Sequence, residues 1–135
     1  LSHLIQSLSF NQESTLNSIE RKHTTGRMSK IVTHGQLVYL CGQTANNSPA
    51  AEGDITVQTR EVLARIDGLL AEGGAARERI LTTTIYLRDI GDFAAMNAVW
   101  DAWIPAGTAP ARTTVEARLG ASSLLVEMTV VAAAN

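Results

Sequence analysis

The chain has 135 residues, 45% of them hydrophobic and 18% charged. That excludes global disorder and fits one domain with its own core. Eleven Lys+Arg against 13 Asp+Glu give a net charge of −2, so a nucleic-acid binder is not indicated.

Residues 1–18 are rich in Ser, Asn and Gln and read as an N-terminal tail or a short helix. They lack the basic n-region and cleavage pattern of a signal peptide. A domain over 19–135 follows. Segment 28–34 reads as a strand, Gly35-Gln36 as a turn and 37–42 as a second strand, together a hairpin. A further strand near Ile19–Thr24 is compatible with the pattern. Residues 44–54 hold the densest turn chemistry and read as a flexible surface loop. Over 55–72, Thr59, Leu63, Ile66 and Leu70 recur at helical spacing, widened by Val62 and Leu69. Gly73-Gly74 ends this helix, because a left-handed cap costs glycine no Cβ clash.

Segment 80–88 is β-branched and reads as a strand with Leu81, Thr83, Ile85 and Leu87 on one face. A second helix spans 92–103, capped by Asp89 or Asp92, with Phe93, Met96, Val99, Trp100 and Trp103 as its apolar face. Strands at 112–119 and 124–133 complete the chain. The last is apolar on both faces, so both its faces are covered. The fold class is α+β: a mixed sheet with two helices packed on one face. Too few helices remain to cover the other face, and self-association as a closed homo-oligomer is the simplest cover.

Dinucleotide, zinc-protease, nucleophile-elbow and P-loop motifs are all missing. The three histidines are scattered, so no metal site is expected. Cys41, the single cysteine, excludes an intrachain disulfide and fits a reducing, cytoplasmic setting. It reads as a buried structural thiol. No run approaches the roughly 18 apolar residues of a membrane span. Arg112 follows a rigid Pro110 turn at a strand start. It is either a solvent-exposed arginine or a guanidinium presented to a carboxylate. Glu127 interrupts an otherwise apolar or Thr strand. It either points outward at an edge or is buried with a raised pKa. Glu116 and Arg118, two apart, read as ordinary surface or interface pairing.

Five stretches together resemble one family: VYLCGQT at 38–44, QTREVLARIDGLLAEGG at 58–74, TTTIYLRDIGDFAAMNAVWDAW at 82–103, APARTTVEARL at 109–119 and LLVEMTVVAAA at 124–134. In order and spacing they resemble the reactive intermediate deaminase superfamily, also called the YjgF/YER057c/UK114 family, over residues 24–134.

The resemblance implies a chorismate-mutase-like fold and a homotrimer with a central barrel, helices outside and three clefts between subunits. It implies hydrolysis of small 2-imino or enamino acids to 2-keto acids and ammonia, without metal or cofactor. The family's carboxylate-binding arginine falls on Arg112 and its water-handling acid on Glu127. Its helix asparagine falls on Asn97 and its strand-end glycine on Gly42, followed by the usual Gln43. Three positions depart from the deaminating members: Met28 stands for a tyrosine, Cys41 for a serine and Thr114 for a cysteine. These departures, with GRMSK and NAVWDAW, resemble a less characterised subgroup. Two other readings are a non-enzymatic carboxylate-binding module and a pathway-specific enamine deaminase. The net charge and the lack of a basic-aromatic stripe argue against a ribonuclease.

Overall fold

A computed structural model describes residues 18–135. The segment 1–17, read above as a tail or short helix, lies outside the described residues. Six strands and two α-helices follow in the order β1 (Ile19–Lys22), β2 (Ile31–His34), β3 (Leu37–Leu40), α1 (Ile55–Glu72), β4 (Ile80–Leu87), α2 (Phe93–Trp103), β5 (Ala111–Glu116) and β6 (Val126–Ala133). The strands form one sheet in the order β1-β2-β3-β6-β4-β5. Only β4 and β5 pair in parallel, and α2 makes the crossover that a parallel pair requires.

Helix α1 forms because the predicted stripe finds a sheet to cover. Thr59, Val62, Leu63, Ile66, Leu69 and Leu70 are all buried. Asp54 starts it, its Oδ1 accepting the Val57 N–H at 3.0 Å. At the other end the two glycines divide the work. Gly74 takes the left-handed backbone (φ +81°), whereas Gly73 is right-handed. Gly73 is needed for close packing instead, since a Cβ there would sit 2.7 Å from Val38 Cγ1.

Both helices pack on the same sheet face. There Ile31, Val38, Leu40, Ile85, Leu87, Val126, Met128 and Val130 meet α1 and the Met96 and Trp100 of α2. Strand β6 alternates strictly, with Val126, Met128, Val130 and Ala132 buried and Glu127, Thr129, Val131 and Ala133 partly exposed on the other face. No element of the described residues covers that second face.

Several sequence expectations shift. A register irregularity between Ile80 and Thr82 turns Leu81 outward, 45% exposed, so it does not share a face with Thr83 and Ile85. Asp92 stands at the α2 N-cap without a side-chain bond, while Asp89 caps the preceding turn through the Gly91 N–H at 2.8 Å. Burial, then Asp89 and Asp54, push the Asp92 carboxyl up. The 44–54 segment is not a free surface loop. It contains a 3-10 turn over Pro49–Glu52 and is tied to α1 by side chains of Arg65 and Gln58. Glu116 accepts the Ile90 N–H at 3.0 Å rather than pairing with Arg118, which lies beyond the end of β5.

Candidate active site

The candidate residues fall into two groups. The first lies around the end of β3. Beyond Tyr39↔Val131 the next bridge is Gln43↔Met128, so Leu40, Cys41 and Gly42 stand opposite only Thr129 and Val130. That extra residue is a β-bulge, and a bulge re-aims side chains. Here it brings Cys41 and Gly42 to the wall of an open cavity of about 600 Å³, also lined by Met28, Lys30, Gln43 and Asn46. Gly42 is required by packing. A Cβ at this position would collide with Glu127 Oε2 and lie 3.0 Å from Glu127 Cδ. The Glu127 carboxyl therefore rests directly over the Gly42 backbone, at the margin of this cavity.

Cys41 is half-buried, not a sealed core thiol. Burial pushes its pKa up, and the Glu127 charge adds to the rise. The Gln43 hydrogen bond and the Lys30 charge pull the other way. Gln43 Nε2 donates to Cys41 Sγ at 3.2 Å. Met28 is 42% exposed. The loop side of the cavity is fixed by Arg65, whose guanidinium donates to Thr44 O (2.8 Å), Asn46 Oδ1 (2.8 Å) and Asn46 O (2.6 Å).

The second group lies at the far edge of the sheet. Arg112 and Thr114 are two apart on β5, opposite Thr83 and Ile85 of β4, and so face the helices. The Arg112 guanidinium stands 5.4 Å from the Trp100 ring centroid and 5.8 Å from that of Phe93. Asn97 lies on the same flank of α2, four residues after Phe93 and three before Trp100. Its Oδ1 is buried without a hydrogen-bond partner, as are Thr114 Oγ1 and Thr83 Oγ1. Orphaned polar atoms of this kind beside a guanidinium mark a place built to receive a polar molecule.

Arg112 and Glu127 are not brought together within one chain. Arg112 faces the helices from β5, whereas Glu127 pairs with Tyr86 on the opposite sheet face, with β4 between their strands. Neither side chain makes a hydrogen bond or ion pair among the described residues. No cluster of metal-ligating side chains occurs among the described residues, and no helix there is long and apolar enough to cross a membrane. Sequence reasoning missed Lys30, Asn46 and Arg65. Arg65 looked like ordinary helix polarity, and only its loop partner, distant in sequence, reveals its role.

Residues 18–134 match the model of a protein family described as endoribonuclease L-PSP. The RutC family protein YoaB of Escherichia coli is 41% identical over 116 residues, covering 86% of this chain and 98% of that protein. The crystal structure of NMB1025 from Neisseria meningitidis, described as a member of the YjgF protein family, is 42% identical. It covers 89% of this chain and 98% of that one, with a TM-score of 0.82. An uncharacterized protein from Pseudomonas aeruginosa superposes equally well, with a TM-score of 0.82 and 41% identity over 87% of this chain and all of that one.

Proposed function

The chain belongs to the YjgF/YER057c/UK114 family, and from that premise we propose that it hydrolyses small 2-imino or enamino acids to 2-keto acids and ammonia. Family membership supports a deaminase-type hydrolytic role in general. One observation carries the specific reading: Arg112 and Glu127 are both without polar partners among the described residues, yet on opposite faces of the sheet. A site containing both takes Arg112 from one copy and Glu127 from the next. This fits a homotrimer, built around a central barrel as in chorismate-mutase-like folds, with its clefts at the subunit junctions. The trimer also covers the open sheet face.

In such a cleft Arg112 holds the substrate carboxylate through two parallel charge-assisted bonds. Thr114 and Asn97 supply acceptors beside it for the imine nitrogen. Water attacks the iminium carbon and a C–O bond forms. Glu127 takes the water's proton and returns it to nitrogen. The C–N bond then breaks as the hydroxyl gives its remaining proton to Glu127 and the C=O bond forms, releasing ammonia and leaving the 2-keto acid. Cys41 and Met28 shape the wall against the substrate side chain, and Gly42 lets that side chain approach the backbone.

Met28 supports a second reading. It carries no hydrogen-bond donor to fix the attacking water, so the cleft could bind a 2-keto acid without turnover. The family's ribonuclease description finds little support in a chain of net charge −2.

A coupled assay separates the readings. An amino acid oxidase generates 2-iminobutanoate, and semicarbazide traps what survives. The expected result is less trapped product with the wild-type protein and full trapping with Arg112→Ala. Trapping unaffected by the wild type, together with measurable 2-oxobutanoate binding, would favour the binding module.

A further inference from the structure

The cavity beside Cys41 is lined by two cations, and they differ in what they already hold. Arg65 is committed to Thr44, Asn46 and Glu61, with its Nε 3.1 Å from Glu61 Oε1. Glu72, the one carboxylate among the lining residues, is paired with His23 Nε2 at 2.6 Å. The Lys30 ammonium makes no hydrogen bond or ion pair among the described residues. Its backbone lies beside the bulge, where Cys41 N–H donates to Lys30 O at 3.0 Å. Its charge reaches the Cys41 thiol, as does that of Glu127 on the other side of Gly42. A cation without a polar partner among the described residues therefore lines the same cavity as Cys41 and Gly42, and Glu127 borders that cavity at Gly42.

We propose that Lys30 is a specificity-determining residue that receives a second carboxylate, so that the preferred substrates are 2-imino dicarboxylic acids. This rests on the imine-binding site proposed above. Arg112 holds the carboxylate next to the imine carbon, and the side-chain carboxylate then extends into the cavity toward Lys30. One ammonium matches one carboxylate charge, and the Asn46 amide lines the same cavity as a further donor. A phosphate would bring nearly two charges to that single cation. A neutral side chain would leave the ammonium without a partner.

The test is calorimetric and uses the stable products as probes, 2-oxoglutarate and 2-oxobutanoate, with the full chain. The wild type is expected to bind 2-oxoglutarate about three- to fivefold more tightly, as for one exposed ion pair. Lys30→Gln should bring that ratio to about one, and Lys30→Arg should retain most of it. A wild-type ratio near one, a ratio unchanged in Lys30→Gln, or no binding of either acid would each overturn the proposal. The oxidase-generated imines of glutamate and 2-aminobutanoate are assayed in parallel. If neither imine is turned over but the binding ratio holds, hydrolysis fails and the role of Lys30 stands. If 2-iminobutanoate is turned over while the ratio stays near one, the reverse is true.

Discussion

A methyl group at position 42 would collide with the Glu127 carboxylate, so the place of the acid depends on the absence of a side chain just beyond the end of the neighbouring strand β3. Gly42→Ala should leave the fold intact, because Glu127 can swing away on the open face. Displacing a proton-handling group by even an ångström is costly, and imine hydrolysis should fall about 10- to 100-fold. Glu127→Gln, which keeps shape and removes basicity, should cost roughly 10²–10⁴. If Gly42→Ala retained wild-type turnover, with an unchanged melting curve, Glu127 would not act from this position. Cys41 gives a pH prediction. Its folded pKa lies above the ordinary thiol value, first because of burial. The neutral thiol is thus favoured by folding, and its contribution is present at neutral pH and lost as pH rises through the raised value. Cys41→Ser should flatten that alkaline loss of stability in pH-dependent urea titrations. Arg112 and Glu127 were legible as chemical oddities in their strands. Lys30 was not, because an exposed lysine near a strand end is unremarkable until the bulge and the cavity are known.

At the scale of elements, Gln58 joins parts of the chain that no periodicity connects. It is fully buried on α1. Its Nε2 donates to Ala51 O (3.2 Å), Gly53 O (3.1 Å) and Ser123 O (2.8 Å), and its Oε1 accepts the Leu125 N–H (2.9 Å). One side chain thus holds the loop after β3 and the approach to β6, which together place Gly42 and Glu127. Gln58→Leu keeps the volume but leaves those backbone groups unpaired. It should destabilise by about 3 kcal/mol, roughly 10 °C in thermal midpoint. A calorimetric scan showing no shift would mean that water satisfies the same groups. The helices and strands were readable because their apolar positions repeat at 3.6 and 2.0. Polar residues on a buried face follow no such period, so Gln58 was passed over inside a stripe otherwise correctly drawn. Leu81 was misplaced for a related reason. Strict alternation assumes an unbroken ladder, and the irregularity at Ile80–Thr82 resets the phase.

For the whole molecule, the second sheet face decides what the chain must do. Tyr39 and Val115 are 42% and 41% exposed there, and Val131 and Ala133 lie partly open beside Tyr39. A lone protomer would leave this apolar face in water. The need for cover was legible in the doubly apolar last strand, whereas the number of copies came only from family resemblance. A trimer should sediment at three times the 14.4 kDa chain mass. Mass alone does not show that the site is shared, but mixing two inactive variants does. Suppose Arg112→Ala and Glu127→Gln chains are co-expressed in equal amounts and assort at random. Each junction takes its arginine from one subunit and its glutamate from the neighbour. Each of these is intact with a chance of one half, so about a quarter of the junctions carry both. Imine hydrolysis should therefore return to about 25% of the wild-type rate in the mixture, while either variant alone stays inactive. A site built within one chain has no such route, because every chain in the mixture lacks one of the two residues. Continued inactivity in mixed trimers, verified as mixed by two affinity tags, would place the chemistry elsewhere.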